Sequence, residues 1–225
     1  MKITERLQEI PYDNWKNESQ HMEWNYWVNN PAEDDYNNWW FDQFEQYKYL
    51  DKSNIKTIAE VGCGPNAKNV QLFLLDKSVQ YFISDPLLEK YIQTNKPVKR
   101  FIDNYNVVTS TSPLEEYKIE PVDCVVCINV LDHVYNLKQC FESIYNNLKP
   151  GGIFVLGNEL TSQADMDRIG LNDPNAMMHP IRFDLQTINT YLQQYKTIKC
   201  TVLPREMGRA PESHYATILF VGQKI

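Results

Sequence analysis

Positive charge is scarce in this chain: 22 Lys and Arg stand against 29 Asp and Glu, for a formal net charge of -7. An acidic balance of this size argues against a broad phosphate-binding surface, so nucleic acid is a poor candidate partner. Long apolar runs are missing too, and without about 18 consecutive apolar residues no membrane-spanning helix is expected. The opening Met1-Lys2-Ile3-Thr4-Glu5-Arg6 has neither the apolar segment nor the cleavage site of a secretory signal, and a cytoplasmic location is the expectation. The five cysteines are an odd set, with Cys124 and Cys127 as the single C-x-x-C. On a strand, residues three apart face opposite sides, so these thiols do not readily share a metal, and buried, reduced cysteines are expected. No internal repeat or low-complexity tract is evident. A chain of 225 residues accommodates one sizeable α/β core with an appendage, but not two ordinary large domains.

What is present is most concentrated between Ile58 and Asn66, I-A-E-V-G-C-G-P-N, where an apolar run enters a glycine turn that is expected to open a helix. Gly62 and Gly64 remove side chains where the backbone must turn sharply and approach a ligand, and a following helix offers free N–H groups. Tyr81 to Asp85 reads as a second strand ending in an acid able to accept hydrogen bonds from both hydroxyls of a ribose. The separation of Gly64 from Asp85, about 20 residues, suits one strand–helix–strand unit. Gly62-Cys63-Gly64-Pro65-Asn66-Ala67 also satisfies the dinucleotide pattern G-x-G-x-x-G/A, which leaves an NAD-dependent oxidoreductase as a second reading.

The acid Glu60, two positions before the first glycine, tips the balance. The E-x-G-x-G run resembles the first motif of class I S-adenosylmethionine-dependent methyltransferases. Asp123 to Val134, D-C-V-V-C-I-N-V-L-D-H-V, is similar to that family's fourth strand and the turn after it, and Leu148-Lys149-Pro150-Gly151-Gly152 to the L-K-P-G-G turn before its fifth strand. These motifs cover residues 55 to 160. The resemblance implies an α/β fold: a Rossmann-like, mostly parallel seven-stranded sheet of order 3-2-1-4-5-7-6, ending in an antiparallel hairpin and sandwiched by helices. The amino-methylating DNA enzymes of the superfamily carry N/D-P-P-Y/F after the fourth strand, whereas Asn129-Val130-Leu131-Asp132 stands here, a further argument against nucleic acid.

Periodicity places strands near 55–61, 80–85, 106–110, 122–129 and 152–158, and helices near 66–77, 87–95 and 136–148. A helical pattern over Phe183 to Tyr195 precedes two strands, Lys196–Leu203 and Tyr215–Val221. The polar stretch from Thr161 to Ile181 has no clear pattern and is a candidate functional loop. Residues 1–50 are expected to form a helical cap on a cofactor-binding domain over 51–225. They hold all five tryptophans, and Asn30-Pro31-Ala32-Glu33 has a helix-start signature followed by Tyr36, Trp40, Phe44 and Tyr47 at helical spacing. The stripe reads as packing on the sheet. An alternative makes Trp24-Asn25-Tyr26-Trp27 a lid that encloses substrate and sulfonium through cation–π attraction.

The resemblance implies roles residue by residue. Glu60, Gly62 and Gly64 should surround the aminocarboxypropyl and ribose moieties of S-adenosylmethionine, Asp85 the ribose hydroxyls, and Asn129 the methionine portion. Pro86 or Leu87 should pack on adenine, with Ser112 and Leu114 as further adenine contacts. Asn66 stands where the family commonly has a third glycine; a cramped site would leave a catalytically inactive binding protein. A hydroxyl or ammonium acceptor must lose a proton, and His133 and Glu159, on the carboxyl edge of the sheet, are the candidate bases. Trp24, Trp27 and His179 are candidate substrate contacts, and His21 reads as solvent-exposed. Asp132 beside His133 raises the idea of a metal, but adjacent residues seldom chelate one ion, and none is expected. The expected activity is methyl transfer to a hydroxyl or amine of a small molecule such as a sugar, phenol or amine. The acceptor's identity and the oligomeric state stay open.

Overall fold

The computed structural model describes residues 8–32, 38–45, 54–67, 69–72, 76–94, 96–169 and 177–225. The short apolar runs read from Ile55 onward become strands: β1 (Thr57–Val61), β2 (Gln80–Ser84), β3 (Asn106–Ser110), β4 (Val122–Ile128), β5 (Leu148–Leu160), β6 (Tyr195–Pro204) and β7 (Ala216–Lys224). They form one sheet of order β3-β2-β1-β4-β5-β7-β6, as expected. β1 to β5 pair in parallel with their neighbours, and β7 runs antiparallel to both β5 and β6.

Side chains that alternate along a strand divide the core into two layers. Ala59, Val61, Val125 and Cys127 pack on one face; Ile58, Cys124, Val126 and Ile128 pack on the other. Cys124 and Cys127 therefore do face opposite sides. Four of the cysteines are buried and free; Cys200 is also free but exposed, because it lies on the edge strand β6. α6 (Leu137–Asn146) and α8 (Leu185–Leu192) cover the first face, each started by a side-chain cap: Asn136 accepts from Gln139 N–H and Asp184 from Thr187 N–H. α4 (Leu88–Thr94) and α5 (Lys96–Asn104) cover the second face through Leu88, Tyr91, Val98 and Phe101.

The N-terminal segment bridges the two layers. α1 (Tyr12–Asn14), a π-helical turn over Trp15–Ser19 and α2 (Gln20–Asn29) run on from one another. Trp15 packs in the first layer and Trp27 in the second, so this helical run crosses an edge of the sheet. It is pinned at its start by Ile10 N–H donating to the Tyr135 carbonyl (2.9 Å) and by Leu137 N–H donating to the Gln8 carbonyl (2.9 Å). α3 (Asn38–Glu45) then lays Trp40 and Phe44 on the sheet. Gly157 of β5 makes this possible: a Cβ there would stand 2.8 Å from the Trp40 ring and 3.1 Å from Phe44.

Some elements differ from expectation. The helix expected over 66–77 is a 3-10 turn at Asn69–Leu72, with Lys68 and residues 73–75 outside the described set. Asn30 ends α2 instead of starting a helix, since Pro31 follows and cannot continue the preceding helix's hydrogen bonding. Glu33, Tyr36 and Tyr47 lie outside the described residues. Within the unread stretch, Gln163–Ile169 forms α7. No helix among the described residues is long and apolar enough to cross a membrane.

Replacing Gly157 by Ala is expected to cost about 1–3 kcal/mol through overpacking, and Trp40→Ala about 3–5 kcal/mol through the cavity it leaves. Denaturant midpoints measure both, and a native-like midpoint for Gly157→Ala would mean that Trp40 does not lie over β5.

Candidate active site

In the observed strand order, the connections leaving β1 and β4 run to opposite sides, which opens a crevice at their carboxyl ends. A cavity of about 240 Å³ occupies it, walled by the loops after β1, β2, β3 and β4 and roofed by the N-terminal helical run.

The glycine loop forms one wall. Gly62 and Gly64 both have positive φ, 61° and 59°, but they serve different needs. A Cβ on Gly62 would strike Val130 at 2.6 Å, so this glycine lets the loop pack on the turn after β4. A Cβ on Gly64 would meet no protein atom within 4 Å; Gly64 lines the cavity and leaves its backbone open to it. The left-handed residue further on is Ala67 (φ 45°), not Asn66, whose side chain is buried.

Two acids hold this loop. Glu60, expected beside the cofactor, is fully buried behind it. Its Oε1 accepts from the Asn69 backbone N–H (3.2 Å) and the Asn69 side-chain amide (2.9 Å), and its Oε2 accepts from Val70 N–H (3.0 Å). Those are the donors that a helix N-terminus would have presented to a ligand. Burial pushes the Glu60 carboxyl up to about 8, against the pull of these donors. Asp85 lines the cavity. Its Oδ2 accepts from Gly64 N–H (3.0 Å) and its Oδ1 from Leu87 N–H (2.9 Å), which leaves each oxygen a further lone pair. Burial raises it to about 6, with the Leu87 and Gly64 N–H groups and the His133 charge opposing and the Glu23 charge adding. Pro86, Ser112 and Leu114 line the same end, whereas Leu87 is buried outside the lining.

At the end of β4, Asn129 faces the cavity in a left-handed conformation (φ 60°), with its N–H donating to the Gly157 carbonyl (2.7 Å). Its Oδ1 accepts from Arg209 Nη1 (3.0 Å), which also donates to Glu159 Oε1 (3.3 Å). Glu159 is buried and does not line the cavity; its Oε2 has no hydrogen-bond partner among the described residues. Burial and the Asp132 charge raise this carboxyl, with Arg209 opposing.

The opposite end is built from the roof and the turn after β4. Gln20, Glu23 and Trp27 recur at helical spacing on the cavity side of α2, joined by Trp15 and Tyr26. Trp24 lies outside the cavity, near Tyr91 (ring centroids 6.2 Å) and under Lys90, and His21 is exposed. His133 and His179 both line the cavity, with ring centroids 4.3 Å apart. His133 Nδ1 lies 3.4 Å from Glu23 Oε2 and Nε2 lies 4.0 Å from Asp132 Oδ2. Burial would strip the His133 proton, but Asp132 and Glu23 outweigh it and raise the imidazole to about 9. His179 is lowered to about 4 by burial and by the His133 charge. Burial opposes ionisation of Asp132, yet His133, His179, His214 and Arg182 hold it well below the usual carboxylate range. Trp15 Nε1 donates to the His133 carbonyl (2.7 Å) and Trp27 Nε1 to Glu23 Oε1 (2.7 Å), which ties roof to turn.

Sequence reading missed Glu23, Trp15 and Arg209. Helical phase would have grouped Glu23 with Trp27 and set Trp24 apart. Arg209 had no such signal.

Among proteins of known structure the chain is similar to the N-methyltransferase NodS of Bradyrhizobium japonicum WM9 in complex with S-adenosyl-L-homocysteine, with 16% identity and a TM-score of 0.60 over 95% of this chain and 97% of that one. It is also similar to YcgJ of Bacillus subtilis, with 13% identity and a TM-score of 0.61 over 82% and 97% of the two chains. A third similar structure is the Burkholderia thailandensis 1,6-didemethyltoxoflavin-N1-methyltransferase with bound 1,6-didemethyltoxoflavin and S-adenosylhomocysteine, at 13% identity and a TM-score of 0.58 over 92% and 84%. No curated protein matches the chain in sequence. Residues 59–156 match the family model described as a methyltransferase domain, and the strand order around them is the one expected of that fold.

Proposed function

We propose that this chain is a class I S-adenosylmethionine-dependent methyltransferase that acts on a hydroxyl or amine of a small molecule held under the N-terminal helical run, with residues 1–50 serving as a cap on the cofactor-binding domain. The observation that carries this reading is the union of two unlike ends in one cavity. Gly64, Asp85, Pro86 and Leu114 offer the backbone approach, paired acceptors and apolar wall that suit a nucleoside. Trp15, Trp27, Glu23, His133 and His179 offer aromatic faces and polar groups for an acceptor. The likeness to two structures named as N-methyltransferases, one holding a small heterocycle, supports an acceptor of this size.

Bound S-adenosylmethionine supplies an activated methyl group on a sulfonium that leaves as a thioether. The protein's task is then alignment, with the nucleophile about 3 Å from the methyl carbon. Asp85 would anchor the ribose hydroxyls through its remaining lone pairs, and Ser112 and Leu114 would flank adenine. Asn129, held in its left-handed conformation and oriented by Arg209, would meet the methionine portion. The acceptor's proton would pass toward the Asp132–His133–His179 group, in which His133, raised to about 9, takes it more readily as pH rises toward that value. Glu159, closed off by Arg209, is the weaker candidate for that transfer.

Calorimetric titration with S-adenosylhomocysteine, S-adenosylmethionine and NAD tests the cofactor end. Micromolar binding of the two sulfur nucleotides and none of NAD is expected, with binding lost in Asp85→Ala. Asp85 accepts hydrogen bonds at full strength only when ionised, so affinity should fall as pH drops through about 6; a flat profile between pH 5 and 8 would remove Asp85 from the ribose site.

A screen of phenol, sugar and amine acceptors tests the other end. With an acceptor in hand, Trp27→Ala should lower kcat/KM with little change in cofactor affinity, and Trp24→Ala should have a much smaller effect. Equal losses in both variants would argue against this orientation of α2. His133→Ala should lower turnover by about 10²–10⁴-fold, and Glu159→Gln by less.

A further inference from the structure

We propose that Asp132, His133 and His179 form a binding site for a divalent transition-metal ion of the zinc class at the wall of the cavity. Their ligand atoms all lie within 4.8 Å of one another. The adjacency of Asp132 and His133 is no obstacle, because His133 N–H donates to the Val130 carbonyl (2.9 Å) and closes a tight turn that carries both residues. The third ligand arrives from a distant segment that is fastened to this turn. Ile181 N–H donates to the Asp132 carbonyl (3.2 Å), and Arg182 Nε donates to the His179 carbonyl (3.0 Å).

The spacing is within reach of coordination. His133 Nε2 and Asp132 Oδ2 stand 4.0 Å apart, too far for a hydrogen bond. Two coordinate bonds of about 2.1 Å each span about 3.4 Å at a tetrahedral angle, so one ion can touch both atoms once they close by about half an ångström. Supporting groups stand behind the ligands as well. Glu23 takes the other ring nitrogen of His133 (3.4 Å), the carboxylate–histidine arrangement that fixes a metal-binding imidazole, and Asn158 Nδ2 donates to the other oxygen of Asp132 (3.3 Å). The His133 and His179 rings are tilted by 57° rather than stacked, which suits two ligands converging on one point.

Two imidazoles and one carboxylate select zinc, iron, cobalt or nickel over magnesium or calcium. Three protein ligands leave a coordination position open, and the two histidines face the cavity. An acceptor oxygen or nitrogen bound there would lose its proton more easily. That role rests on the methyl-transfer reading above; binding of the ion does not.

The test uses the full chain after chelator treatment, titrated with zinc, cobalt or magnesium chloride by calorimetry and, for cobalt, by visible absorption. Saturable one-to-one binding of zinc and cobalt is expected, with no response to magnesium. Glu23→Gln should weaken zinc by about 10–100-fold, and Asp132→Asn or His179→Ala by more. S-adenosylhomocysteine affinity, measured in parallel, should be retained in each variant and reports on folding. No saturable zinc binding by the native protein would overturn the proposal, as would affinity unchanged in both His179→Ala and Asp132→Asn. Should a variant not fold, cobalt-loaded native protein decides: two shifted imidazole N–H proton resonances are expected, and one or none would overturn the site. Zinc binding without S-adenosylhomocysteine binding would sink the methyl-transfer reading and leave the metal site standing.

Discussion

Two carboxylates taken out of water hold the glycine loop, and the cavity depends on them. Glu60 and Asp85 stand at the carboxyl ends of β1 and β2, in the part of the sheet where burial makes an unpaired charge most expensive. Backbone N–H groups of the loop offset that cost: Asn69 and Val70 for Glu60, Gly64 and Leu87 for Asp85. The arrangement works in both directions. The loop's donors keep the acids tolerable inside the protein, and the acids keep the loop in a left-handed course that few side chains would adopt unaided. Gly64 then faces the ligand space with no side chain between, and Gly62 rests against Val130.

The second constraint is charge balance at the acceptor end. Glu23, half-buried, and Asp132 and Glu159, buried, are acids within a small volume, and each is answered from a different part of the chain: His133 from the turn after β4, Arg182 from the segment before α8 and Arg209 from the connection between β6 and β7. Because Glu23 belongs to α2, the ion pair with His133 also joins roof to floor, reinforced by the Trp15 bond to the same residue's carbonyl. The aromatic content of the N-terminal segment is thereby divided. Trp40 and Phe44 are packing groups over Gly157, while Trp15 and Trp27 look into the cavity.

Much of this was legible beforehand. The strands, Asp85 at the end of β2 and the opposite facing of Cys124 and Cys127 all follow from alternation of period two and from turn-forming residues, which are properties of neighbouring positions. Other readings failed where distant groups intervened. Where a helix was expected from residue 66, the described residues form a 3-10 turn at Asn69–Leu72 whose first N–H groups are taken by Glu60 from β1. Asn30 satisfied the rules for a helix start, yet the same residue types also end helices, and nothing local distinguishes the two uses. Trp24 and Trp27 were grouped as one lid although helical phase sets them on different sides of α2.

The chain's order of apolar and polar residues determined where the strands run and where the glycine turn opens, because backbone freedom, side-chain alternation and capping act over a few residues; the strand order was legible only through the resemblance of its motifs to a known family. Only the tertiary structure decided which polar groups share the site. Arg209 meets Asn129 and Glu159 across 80 and 50 positions of chain, and Glu23 meets His133 from another element altogether. Such pairings rest on electrostatic attraction at a few ångströms in a desolvated space, a distance that exists only after the sheet has closed and the helical roof has been laid across it.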